Sequence, residues 1–257
     1  MDAKRLLCKA VVVSACAWSA MGQATSEPEP ATEHRQLTAP PAKTPSTGLN
    51  ELFPGVRVNL REKIVEFDGE VPIRLDDARA PRVYLEQVVC IKDTKEHESL
   101  VVTSVKPSHV HAALLALDLK PGKPSGYRWE GEKGFPVPPE GDEVSVELAY
   151  VDREGTARTD RVSQWVLNAR TRERWPEGSW VFAGSLVKLR QGQEVYDADG
   201  SGTLVGLTSF GTEVLAWPNV FSPDSQVQEP EWIADVAGVP PMGTRVTVRL
   251  RAAAAGE

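Results

Sequence analysis

Cysteine is nearly absent. Of the three in 257 residues, Cys8 and Cys16 fall in the first 24, which leaves Cys90 alone in the remainder. Once those 24 residues are removed no internal disulfide can form, so stability has to come from a hydrophobic core, which a chain of this length can bury. Cys90 sits in the apolar stretch 83–91, where a buried thiol is inert rather than nucleophilic. Concentrated positive charge is also missing: 29 Lys and Arg stand against 36 Asp and Glu, for a net charge of −7. A phosphate backbone is bound by basic patches, so no nucleic-acid partner is expected. The densest basic run, Arg170-Thr171-Arg172-Glu173-Arg174, reads as a solvated loop.

Long apolar runs and catalytic signatures are lacking too. The apolar stretch 10–21 is shorter than the about 20 residues of a spanning helix. There is no GxSxG elbow, no HExxH, no phosphate-cradling GxxxxGK[ST] and no GxGxxG after a strand. Ser185, after Ala183-Gly184, has no base beside it in the sequence and reads as a small residue in a tight strand.

What is present begins with Lys4, Arg5 and Lys9, the apolar stretch and the small residues Gly22-Gln23-Ala24, the pattern of a secretory signal peptide over 1–24. Its loss removes three basic groups and one acidic group and takes the net charge to −9. Val13-Ser14-Ala15-Cys16 has the form of a lipobox, so lipidation at Cys16 stands as the alternative to cleavage after Ala24. A single acyl chain anchors weakly, whereas two or more hold. Either way the protein is expected to be exported to the periplasm or cell envelope, touching a membrane only through such a lipid anchor. Residues 25–50, rich in Pro and Thr and including His34, read as a disordered tether. A single globular domain is expected over 51–251 and a flexible tail over 252–257.

Within that domain, period-two runs predominate. Val56, Val58 and Leu60 alternate, as do Val144, Val146, Leu148 and Tyr150. Asp68-Gly69 has the form of a hairpin turn. Strands are also predicted over 83–92, 99–105, 180–189, 193–196, 203–209, 213–217 and 244–250, with a turn at 93–96 making a hairpin of the first two. One stretch has helical period: Val110, Ala113, Leu114 and Leu117 fall at i, i+3, i+4 and i+7. Pro107 suits its first turn, Lys106 and Ser108 are alternative cap positions, and Pro121 ends it. The fold class is therefore α+β, mainly antiparallel β with one principal helix at about 107–119.

Three of the four histidines lie in 95–124. His109 and His111, two apart on a helix, project about 200° from each other and do not face one ion. His97 lies between Glu96 and Glu98. A site of His97, Glu98 and one helix histidine has the ligand types of zinc but no recognised spacing; polar residues on a hairpin tip account for the same sequence. If residues 99–104 form an extended strand, it carries the helix about 20 Å from His97, which keeps the three histidines apart.

Asp197, Asp199 and Ser201, with Gly202 at the sixth position, match the first half of a calcium loop, but the twelfth position is Thr208 where a bidentate Glu is needed; a hairpin turn is the favoured reading of the stretch. Trp129, Trp175 and Trp232 sit in Pro-, Gly- and Glu-rich surroundings, where a ring either stacks on a ligand or caps a sheet edge.

Glu96-His97-Glu98-Ser99-Leu100, the stretch 107–124 with His111-Ala112-Ala113-Leu114, Trp180-Val181-Phe182-Ala183-Gly184-Ser185, Tyr196-Asp197-Ala198-Asp199-Gly200-Ser201-Gly202 and Pro240-Pro241-Met242-Gly243-Thr244 together resemble the YdjY-like domain family of exported bacterial proteins. The resemblance spans most of 52–250 and implies no established activity. An iron–sulfur cluster needs about four cysteine ligands, and no cofactor is expected. The function expected is a binding or interaction module whose partner is an envelope protein or polysaccharide; the alternative is a metal-dependent or hydrolytic enzyme using His97, Glu98, His109 and His111.

Overall fold

Alternating apolar residues give each strand one face to bury, and the chain buries those faces by closing its principal sheet on itself. The computed structural model describes residues 48–75, 82–131 and 133–253. Eight strands make the barrel: β1 (Ile64–Glu70), β2 (Gln87–Ile91), β3 (Ser99–Thr103), β4 (Glu143–Val151), β5 (Trp180–Phe182), β6 (Thr203–Gly206), β7 (Leu215–Ala216) and β8 (Arg245–Ala252). Their order around the ring is β1-β8-β4-β5-β7-β6-β2-β3, and β3 pairs again with β1. The neighbours β2/β3 and β6/β7 are parallel; the other pairings of the ring are antiparallel. The mainly β class holds, and the closure is what the sequence pattern did not convey. The leader, the tail from 254 and the tether up to 47 lie outside the described residues. Among the described residues the first strand begins at Asn50 and the last ends at Ala252.

Register explains the core. Val146 of β4 lies opposite Leu250 and Leu148 opposite Val248; on the other side of β8, Val248 lies opposite Phe67 and Leu250 opposite Val65. All six are buried, each contributing about 1.5–3 kcal/mol before chain entropy is counted. Another part of the same core is aromatic: Trp175 packs edge-on against Trp217 and Trp232 at 5.1 and 4.7 Å between ring centroids, and Trp217 against Trp180 at 4.8 Å.

Several expectations are corrected. Asp68-Gly69 is not a turn but the interior of β1. A Cβ on Gly69 would lie 2.6 Å from Val101 Cγ1 and 2.7 Å from the Val102 carbonyl oxygen, so glycine is required where β3 crosses to close the barrel. The expected hairpin of 83–92 with 99–105 is a parallel pair, its connection ending in a single 3-10 turn, Glu96–Glu98. The single strand expected over 180–189 breaks at Gly184 and Ser185, whose φ angles of 82° and 56° are left-handed. The chain then enters a separate hairpin, Val187–Arg190 with Gln193–Tyr196.

Helix α1 (Pro107–Ala116) starts at the expected proline and buries Val110, Ala113 and Leu114, with Leu117 buried just beyond its end. It stops short of residue 119, because Asp118 turns left-handed at φ 66° and Lys63 Nζ binds the Leu117 carbonyl at 2.7 Å, a cation at the helix C-terminus. The cap is not local: Asp199 accepts the Ser108 backbone N–H at 2.8 Å and the Ser108 hydroxyl at 2.7 Å.

Candidate functional site

Each of the three described histidines, His97, His109 and His111, occupies surroundings of its own. His97 is the most exposed of the three, on the 3-10 turn, with Nε2 3.7 Å from Glu98 Oε2. His109 stacks on Phe53 at 4.9 Å. His111, two residues along α1, makes edge contacts with Phe182 and Tyr196. Among the described residues no three His, Cys, Asp or Glu side chains are grouped to hold a metal ion.

The His111 contact defines a tautomer. Its Nδ1 lies 2.8 Å from Tyr196 Oη, and Tyr196 Oη lies 2.9 Å from the Gly184 carbonyl. The hydroxyl has one proton, and the carbonyl can only accept it, so both bonds are satisfied when Nδ1 carries the imidazole hydrogen and donates to Tyr196. Burial pushes the His111 pKa below its ordinary value, opposed by the Gly184 carbonyl. Burial, with Asp199 nearby, pushes Tyr196 up. The pair is a neutral latch between α1 and the bend at Gly184, where a Cβ would meet Pro121 at 2.6 Å and His111 at 3.3 Å.

The calcium-like stretch has other work. Residues Asp197–Ser201 form the short helix α2, neither a hairpin turn nor an open loop. Asp197 is buried and bound by Lys188 at 2.6 Å and Arg190 at 3.2 Å. Asp199 caps α1, and the Ser201 hydroxyl pairs with Thr203 at 2.9 Å. Ser185 is equally occupied: its hydroxyl donates to the Thr212 carbonyl at 2.5 Å and accepts the Ala198 N–H at 3.2 Å.

A different cluster has the geometry of a site. In the parallel pair, Gln87 lies opposite Ser99, so the residues before them, Glu86 and Glu98, are brought side by side; the Glu86 N–H donates to the Glu98 carbonyl at 2.9 Å. Lys95 Nζ reaches Glu86 at 2.8 Å and Glu98 at 2.7 Å, and sits 4.4 Å from the Phe210 ring centroid. Burial and a hydrogen bond to Glu98 raise the Glu86 carboxyl, while Glu98 is lowered: burial opposes that shift, but the bonds from Glu86 and Lys95 outweigh it. The two carboxyls are thus pushed in opposite directions by their shared surroundings. Beside it opens a cavity of about 130 Å³, walled by Tyr84, Phe221 and Trp232 and with Glu86 and Glu98 on its polar side. Sequence reasoning singled out Glu98 and Trp232 but missed Glu86, Lys95 and Tyr84. The one available signal was the equal spacing of the two acid-then-strand steps, Glu86-Gln87 and Glu98-Ser99, which means proximity only if the strands run parallel.

A family model, the YdjY domain, matches residues 56–251. The chain belongs to the YdjY domain family. Comparison with curated proteins and with solved structures finds no match. Within this YdjY domain the three tryptophans named from sequence have three fates. Trp129 stands exposed on the hairpin Gly126–Glu130 with Lys133–Val137, its ring over Gly134, which lies opposite it. Trp175 is 1% exposed and is corrected from ligand platform to core: ring contacts with Trp217, Phe221 and Trp232 surround it. Trp232 is half-buried, with one part in that aromatic core and another at the cavity.

Proposed function

We propose that the protein is an exported binding or interaction module of the cell envelope. The observation that carries this reading is a pair of hairpins, each pairing only with itself, which hold large apolar side chains in solvent: Trp129 is 63% exposed, and Val187 and Leu189 are 64% and 76% exposed. In the second hairpin Lys188 and Arg190 turn to Asp197, so the alternating Val187 and Leu189 face the other way. Apolar surface kept on projecting hairpins is a contact for a partner, an envelope protein or a polysaccharide. The basic start and apolar stretch of the leader support export. The alternative, a metal-dependent or hydrolytic enzyme, is disfavoured by the separate surroundings of His97, His109 and His111 and by the engagement of Ser185.

The test has two arms. Mass spectrometry of the mature protein should find an N-terminus at Thr25 or a lipidated Cys16, and an intact Met1 on cytoplasmic protein refutes export. Purified protein should be retained on isolated cell envelopes, and retention should fall at least tenfold in Trp129→Ala and Leu189→Ser with the unfolding midpoint unchanged. Retention indifferent to both substitutions removes the hairpins from the function.

A further inference from the structure

The cavity beside Glu86 and Glu98 has not entered that reading, which rests on the hairpins. Its volume, about 130 Å³, is below the roughly 300–1,000 Å³ of a site for a drug-sized molecule and suits one small ring. Its composition narrows the chemistry. An anion would face Glu98, Glu229 and Glu231. For a cation, Glu86 and Glu98 are already engaged by the Lys95 ammonium at 2.8 and 2.7 Å, and Glu231 accepts the Asn168 side-chain amide at 3.1 Å. What remains is a neutral ligand that offers hydroxyls to carboxylate acceptors and a C–H face to aromatic rings. Donors are present as well. The Gln228 side-chain oxygen is held by the Ser222 N–H at 3.0 Å, which leaves its amide nitrogen to donate.

We infer that this cavity is a subsite for one neutral sugar residue of a polysaccharide, with Tyr84 and Trp232 against its C–H face and Glu86 and Glu98 receiving its hydroxyls. The inference deepens the binding-module reading by naming a ligand class, and it stands on a different part of the molecule. Glu86 and Glu98 are tied to one ammonium, Lys95 Nζ, at 2.8 and 2.7 Å, so the two acids serve the subsite as hydrogen-bond acceptors that hold the sugar.

The experiment titrates the full mature chain with cellotetraose, chitotetraose and xylotetraose, following tryptophan fluorescence and saturation-transfer NMR, with n-butylammonium chloride as the cationic probe. Saturable binding of at least one neutral tetrasaccharide is expected, weakened at least tenfold by Tyr84→Ala and by Glu98→Gln and unchanged by Leu60→Ser, at a side chain 60% exposed and away from the cavity. Tyr84 is 41% exposed, so its truncation leaves the core intact and separates a lost subsite from a lost fold. Absence of saturable binding across the panel overturns the inference, as does binding indifferent to both cavity variants, or n-butylammonium competing for the same residues. Because Trp129→Ala is read on envelopes and Tyr84→Ala on soluble sugars, failure of the subsite leaves the hairpin reading standing, and the reverse.

Discussion

The helix side and the cavity side of this domain hold their reactive groups in opposite ways. On the helix side His111, Tyr196, Asp199, Ser108 and Ser185 each have partners that fix a backbone element: a cap, a latch or a bend. On the cavity side Glu86, Glu98 and Lys95 bind each other, and their hydrogen-bonding capacity borders an open space. The residue types that catch the eye in sequence have been consumed by architecture, while an acid pair with no motif borders the vacancy. Type alone does not make a site; unspent capacity beside a cavity does.

The largest expected effect breaks the helix side. Leu114→Ala should cost about 2–5 kcal/mol, since the side chain is fully buried and the space it leaves refills poorly. Urea denaturation measures this, and a loss below 1 kcal/mol would mean that α1 lies loosely and that its side chains are free for other work. Next, Lys95→Met should cost about 1–2 kcal/mol, between the exposed and buried limits for ion pairs, because the three side chains are 19–29% exposed. It should also raise the Glu86 carboxyl further, read by carboxyl NMR titration. An unchanged titration would show that this lysine does not hold the Glu86 carboxyl down.

Smaller, but sharper, is the pH dependence of the latch. Above its ordinary pKa of 6.5 His111 is neutral in both folded and unfolded chains, and its contribution to stability is complete. As pH falls below 6.5 the unfolded chain takes up a proton that the folded one refuses, so stability declines until the lowered folded pKa is passed. His111→Gln should flatten that part of the slope, seen as a smaller difference between urea midpoints at pH 7.5 and 5.5. The smallest effect belongs to His97, whose side chain is 79% exposed. His97→Ala should change stability by less than about 0.5 kcal/mol. Stoichiometric zinc in the purified protein, lost in both His97→Ala and His111→Ala, would rejoin the histidines and promote the enzyme reading.

How much of this was legible depended on whether the information was local. Pro107 and the stripe Val110, Ala113, Leu114 and Leu117 are enough to place α1 and its buried face, because helical period is written in neighbouring residues. The cap on α1 is not, since it arrives from Asp199 on another element. Gly69 is ambiguous for the same reason: Asp-Gly is good turn chemistry, and only the crossing of Val101 and Val102 overrules it. Glu86 and Glu98 are twelve residues apart, and nothing short of the parallel register makes them a pair. Trp175 sat in polar company in the sequence, yet its ring found three aromatic partners from 42 to 57 residues downstream.

The position of β8 has a consequence for how the domain comes to exist. This strand lies between β1 and β4 and supplies hydrogen bonds to both, yet it follows β1 by about 180 residues of chain. As the polypeptide is made, β1 and β4 emerge first and must wait with their facing edges unpaired. Closing so long a loop is entropically demanding, and pairings of this range make folding slow. During that wait each bare edge can recruit a strand from another nascent chain. Arg245–Ala252 is therefore the segment whose timely arrival decides between a closed barrel and an aggregate.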